Sequence, residues 1–291
     1  MPQRSSDNRW PGPTSDELLG QRARSRANSA CPETVVTATD ETVPVPELPE
    51  LEGGVYLLDP DADGPRARRS AVHRPLQGLA LDTALTAGGD IVWIDTQSHA
   101  TTHALASVAP SPRALDRVHV ARAFTTHQHH TLVEQVGRWL RGGDAGPFGA
   151  PGTGDPAVIV CPAVDALYRG GELSTEASRA MLCRTIAILG SLARERSIPV
   201  VLTRTREDEY TAPIARASTT ISLVETEFGA RFNCDALDFE TLAYPVGHGH
   251  LQTTLTFWQD VLATRHPEVA DTTETGESGP TTPSAPGILE G

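Results

Sequence analysis

The sequence contains no lysine. All 24 basic residues are arginine, set against 37 acids for a net charge of −13. Without lysine, a phosphate-binding loop of the usual G-x-x-x-x-G-K-[ST] form cannot be assembled anywhere in the chain. An acidic chain that avoids lysine is what a high-salt cytoplasm and a GC-rich genome favour. The composition therefore reads as that of a halophilic archaeal protein, with plain compositional bias as the alternative. The negative charge argues against broad, non-specific affinity for DNA, while leaving room for a local arginine patch.

Cysteine is scarce: Cys31, Cys161, Cys183 and Cys234 form no C-x-x-C pair. That excludes the common thiolate zinc sites and fits free thiols in a reducing compartment. No run of 18 apolar residues exists, so no membrane-spanning helix and no membrane partner are expected. The first residues, MPQRSSDNRWPGPTSDE, lack the apolar core of a secretory signal, and the expected location is the cytoplasm. There is no G-x-S-x-G nucleophile elbow and no internal repeat. The cluster His127-Gln128-His129-His130 places His127 and His130 one turn apart at a helix start. With no acid or cysteine at a supporting spacing, it reads as structural rather than metal-binding, and no metal is expected.

What is present is centred on 157–205, AVIVCPAVDALYRGGELSTEASRAMLCRTIAILGSLARERSIPVVLTRT. An apolar run opens it and a second one, Val200-Val201-Leu202, closes it. Between them Ser174 can cap a helix, Glu176 suits its first turn, and Met181, Thr185, Ile188, Leu189 and Leu192 share a face. Arg194 and Arg196 suit its last turn, and Pro199 lies beyond. This is a strand–helix–strand unit with both strands buried.

The 291 residues suffice for one large α/β domain with tails or for two small domains. Residues 1–48 are rich in Pro, Ser, Thr and Arg and read as a flexible arm, with a short helix near 15–27. Residues 267–291 read as a disordered acidic tail. Between them, strands are expected at 54–58, 91–95, 118–121, 157–160, 200–202, 219–224, 231–239 and 251–257. Helices are expected over 76–85, from Thr125 or Thr126 to Leu140, and from Ser174. The expected fold is α/β, a mostly parallel sheet flanked by helices, with a β-rich C-terminal edge.

Four ordered segments resemble one family. GGDIVWIDTQ, ALDRVHVARAFTTHQHHTLVEQV, VIVCPAVDALYRGGELS with LARERSIPVVLT, and ARASTTISL are together similar to the core of the RecA/RadA/Rad51 recombinases, across about residues 53–257. The resemblance implies a RecA-like core, ATP and magnesium as cofactors, DNA and a RecA-family recombinase or other repair protein as partners, and a role in recombination and repair.

The residues at the family's ATPase positions depart from its pattern. The loop after Leu58 runs from Asp59 to Arg66 at the phosphate-loop spacing, but only Gly64 matches. Asp59 stands at the first glycine, Pro65 at the lysine and Arg66 at the Ser/Thr. Proline has no N–H to offer, and three aspartates repel phosphate. Gln97 takes the place of the catalytic Glu, and an amide is no base. Cys161 takes the place of the magnesium-holding Asp, and a thiol is a poor ligand for a hard ion. No bound cofactor is therefore expected, and the expected role is a non-hydrolysing accessory or regulatory factor. Arg169, Arg204, Arg206 and Arg216 lie in or near the family's two DNA-facing loops, both shortened here; Tyr168 or Tyr210 could stack on a base. Asp165 reads as a local turn residue. Two alternatives stay open: a residual DNA-dependent ATPase using Arg66, Arg68 or Arg69 in place of the lysine, and a RecA-fold regulator unrelated to DNA.

Overall fold

The structure, a computed structural model, describes residues 47–142, 156–226, 229–241, 243–246, 250–253 and 257–270. The N-terminal arm, apart from its last two residues, lies outside the described residues, as does the tail beyond Ala270. Leu48, expected in the arm, is buried in the core. A four-residue helix, Pro267–Ala270, occupies the start of the expected tail.

Eight strands form one sheet: β1 (Gly54–Pro60), β2 (Asp90–Asp95), β3 (Val118–Arg122), β4 (Pro156–Cys161), β5 (Pro199–Leu202), β6 (Thr219–Thr226), β7 (Gly229–Cys234) and β8 (Phe239–Glu240). Their order is β3-β2-β4-β5-β1-β6-β7-β8. The first six pair parallel and the last two antiparallel, so the β-rich edge follows the parallel half as expected. A separate antiparallel pair joins β9 (Ala243–Val246) to β10 (His250–Thr253). The long strand expected at 231–239 is interrupted by a turn at Asp235–Leu237, and of the one expected at 251–257 residues 251–253 are strand while 254–256 lie outside the described residues.

Both faces of the four central strands β2, β4, β5 and β1 are buried, and side chains alternate between them as the pleat requires. Tyr56, Leu58, Ile91, Trp93, Val158, Val160 and Val201 pack on one side. Val55, Leu57, Val92, Ile94, Ile159, Cys161, Val200 and Leu202 pack on the other. The first layer is covered by α1 (Pro65–Ala87), the second by α3 (Thr126–Leu140) and α4 (Thr175–Arg196); α2 is the short Thr102–Ala106. Thr125 caps α3 by accepting from the Gln128 N–H, and Ser174 caps α4 by accepting from Ala177. The expected α4 face is largely as read: Thr185, Leu189 and Leu192 are buried, with Met181 and Ile188 at its margin.

Helix α1 is more than twice the length expected from Leu76–Leu85. Pro65 stands at its start, where proline suits the geometry. Pro75 sits inside, at a position that ordinarily breaks a helix. Burial of Val72, Leu76, Leu79, Ala80, Leu81 and Ala84 overrides that local cost. Helices α5 (Ala212–Ala217), α6 (Trp258–Arg265) and α7 (Pro267–Ala270) complete the described chain. Trp258 of α6 lies directly on Gly78 of α1, and a Cβ at Gly78 would stand 1.9 Å from the indole. No helix of the described residues is long and apolar enough to cross a membrane.

Gly78→Ala is accordingly expected to destabilise the fold by about 1–3 kcal/mol through overpacking. Urea unfolding followed by tryptophan fluorescence reads this; an unchanged midpoint would contradict the packing.

Candidate functional site

The carboxyl ends of parallel strands are where an α/β sheet gathers loops, and here β1, β2, β4 and β5 bring most of the candidate residues to one place. The β1–α1 loop is the first of them. Its Asp61 and Ala62 N–H groups are spent on the carbonyls of Leu223 and Pro60, at 2.8 and 2.9 Å. Its carbonyls face a cation instead. Arg68 Nη1 donates to Pro60 O at 3.0 Å and to Ala62 O at 3.3 Å, while Nη2 donates to the Asp59 carboxylate. The polarity is the reverse of a phosphate cradle, which offers N–H groups to an anion.

Asp59 is shared. Arg204, at the end of β5, reaches it through Nε at 3.2 Å and Nη2 at 2.5 Å, and also pairs with Glu207 at 3.1 Å. Both guanidiniums are almost wholly buried, so the carboxylate between them is the main charge compensation for each. Arg66 is exposed on α1 and takes no part. Gly64 adopts φ 80°, the one matching glycine at a place that needs it.

ATP and magnesium, which the family resemblance implies, do not fit these residues. The Arg68 side chain fills the loop, Pro65 begins α1 without an N–H, and Cys161 is fully buried in the apolar layer. Burial pushes the Cys161 thiol far above its ordinary range, leaving a neutral S–H rather than a metal-binding thiolate. Gln97 is exposed just beyond β2 with φ 57°, followed by Ser98 at φ 59°. The Gln97 carbonyl accepts from Arg69.

Asp165 ties the β4 and β5 loops together. Fully buried, it accepts from the Thr205 N–H at 2.7 Å, the Thr205 hydroxyl at 2.5 Å and Arg169 Nε at 2.6 Å. Arg169 continues to Asp208 at 2.8 Å and lies 4.7 Å over the Tyr210 ring. Its hydrogen bond, first among several, holds the Asp208 carboxyl down at about 2.

The arginines expected to meet DNA therefore divide. Arg169 and Arg204 are bound internally, to Asp165 and Asp208 and to Asp59 respectively. Arg206 and Arg216 are exposed, without a side-chain partner among the described residues, but Arg216 lies apart on α5. Tyr168 is 2 % exposed and unavailable for stacking on a base; Tyr210 donates to the Tyr168 carbonyl beneath Arg169.

Arg169, Arg204 and Arg206 do come together, with Arg69, around a cleft of about 230 Å³ that Pro65, Gln97 and Thr203 also line. The sequence reading named most of these residues and missed the clamp. Its signal was an acid closing a strand with an arginine one turn into the next helix.

Two of the three clustered histidines make contacts between elements. His129, not His127 or His130, is the buried member, and its Nδ1 bonds Tyr168 Oη at 2.9 Å. Tyr168 and His130 each bond Thr185 at 2.8 Å, joining α3 to α4. Burial pulls His129 down to about 4. Among the described residues, no group of three or more His, Cys, Asp or Glu is arranged to hold a metal. No protein-family model matches the chain, and no curated protein matches its sequence.

Two outcomes are expected. Asp59→Leu leaves the buried Arg68 guanidinium with backbone carbonyls alone and Arg204 with Glu207 alone, and costs about 3–5 kcal/mol. Arg68→Met costs less, because Asp59 retains Arg204; the reverse order in chemical denaturation would contradict the clamp. Below pH 6.5 the unfolded His129 takes up a proton that the native state refuses until about pH 4. His129 therefore contributes a fall in stability across that window, roughly 3 kcal/mol in full. Comparing denaturation midpoints of wild type and His129→Gln from pH 7 to 4 checks this: the variant should show the shallower fall, and an equal fall would count against it.

Proposed function

We propose that this protein is a RecA/Rad51-like accessory or regulatory factor in recombination and repair that does not hydrolyse ATP. The observation that carries the loss of hydrolysis is the Arg68 guanidinium bonded to the carbonyls of the phosphate-loop position. The recombination role is supported by the four family-like segments and by their fit to a mostly parallel sheet with an antiparallel C-terminal edge. A scaffold that keeps its buried strands while its catalytic positions carry Pro65, Gln97 and Cys161 is suited to holding a partner rather than turning over a substrate. The partner in this reading is an active RecA-family recombinase, met in the cytoplasm, which the protein caps, loads or limits.

The internal pairing of Arg169 and Arg204 favours a second reading, a regulator with the same core that does not touch DNA. Both are tested together. Tagged full-length protein, purified at high salt from its native cells, is expected to retain a RecA-family recombinase and to change that recombinase's strand-exchange rate. Recovery of no recombinase or repair protein would overturn the recombination role. Single-stranded DNA binding that is lost in Arg206→Ala would sink the second reading; absence of such binding supports it.

A further inference from the structure

The cleft beside the Asp59 clamp has a chemical character that neither reading uses. In a chain of net charge −13, its wall carries four arginines and no acid. The neighbouring carboxylates are paired: the largely buried Asp59 with Arg68 and Arg204, the buried Asp165 with Arg169 and Thr205, and the exposed Asp208 and Glu207 with Arg169 and Arg204 respectively. They fix the arginines in place without closing the cleft.

Donors are left over. Among the described residues, Arg69 bonds only the Gln97 carbonyl, through one nitrogen, and Arg206 has no side-chain partner. Thr203 is 2 % exposed, and its hydroxyl oxygen accepts from the Ala163 N–H at 2.7 Å. The hydroxyl hydrogen has no acceptor among the described residues, although a buried donor ordinarily finds one. Gln97 and Ala163, both on the wall, hold left-handed backbone at φ 57° and 47°. Such conformations cost free energy and gather at ligand clamps.

The space sets the size of what enters. A cleft of about 230 Å³ lies below the ~300–1,000 Å³ usual for pockets that enclose a drug-sized ligand.

We propose that this cleft binds one small oxyanion, a phosphate or carboxylate group, between Arg69 and Arg206 and against the Thr203 hydroxyl. Guanidinium forks match the paired oxygens of either group. The anion is either a free ion or the charged end of a larger molecule whose remainder stays outside. It is not a nucleotide triphosphate seated in the β1–α1 loop, which Arg68 fills.

The test uses the full-length protein, titrated calorimetrically with inorganic phosphate and with glutarate against chloride at constant ionic strength. Saturable binding of either, with a rise in melting temperature that chloride does not give, is the expected result. Tighter phosphate assigns the site to phosphate groups, and tighter glutarate to carboxylates; each supports the proposal. The double variant Arg69→Gln/Arg206→Gln, at two exposed positions, should bind about tenfold more weakly or worse. Thr203→Ser, which keeps the hydroxyl, should bind as wild type does. Binding no stronger than that of chloride, or undiminished in the double variant, overturns the site.

Discussion

One carboxylate organises the carboxyl edge of the sheet. Asp59 closes β1, the strand between β5 and β6, and holds two arginines that come from different elements. Arg68 belongs to the helix that follows; Arg204 belongs to the loop after β5. Through them the β1–α1 turn and the β5 loop are fastened to one point. Removing two cations from water is favourable only when a partner and further acceptors replace the water. The carbonyls of Pro60 and Ala62 and the carboxylate of Glu207 supply the rest. A loop whose carbonyls face a buried cation cannot simultaneously present N–H groups to a phosphate. The structural clamp and the nucleotide site are thus mutually exclusive uses of one turn.

A second carboxylate repeats the device one strand over. Asp165 binds Thr205 and Arg169, and Arg169 carries the connection on to Asp208 and Tyr210. Together the two hubs hold Arg169 and Arg204 at the rim of one cleft, which Arg69 and Arg206 also line, while satisfying enough of their charge to keep the fold stable. An acidic protein thereby maintains a locally cationic concavity. The surrounding negative charge keeps long-range attraction for nucleic acid low, and recognition at the cleft becomes a matter of short contacts.

The sheet was legible because its signals are local. Continuous apolar runs in β1, β2, β4 and β5 specify strands buried on both faces, and the capping residues Ser174 and Thr125 mark helix starts. Pro75 hid the true length of α1, since the stability of that helix comes from Leu76, Leu79 and Trp258 rather than from propensity. The departures at Pro65, Gln97 and Cys161 from the pattern of the family that the sequence resembles were also readable. The pairing of Asp59 with Arg204 was not, because the partners lie 145 residues apart and meet only through the β1–β5 register. The same holds for Arg169, which the sequence presents as a free loop cation and the fold commits to Asp165 and Asp208.

The central proposal is that the β1–α1 turn is filled by the protein's own Arg68 guanidinium and takes no nucleotide. Calorimetric titration of the full-length chain with magnesium and ATP tests it most directly. The account predicts no saturable nucleotide binding to the wild type and no turnover. Stoichiometric ATP binding that is lost in Arg68→Met would contradict it, because Arg68 would then be serving the nucleotide rather than Asp59.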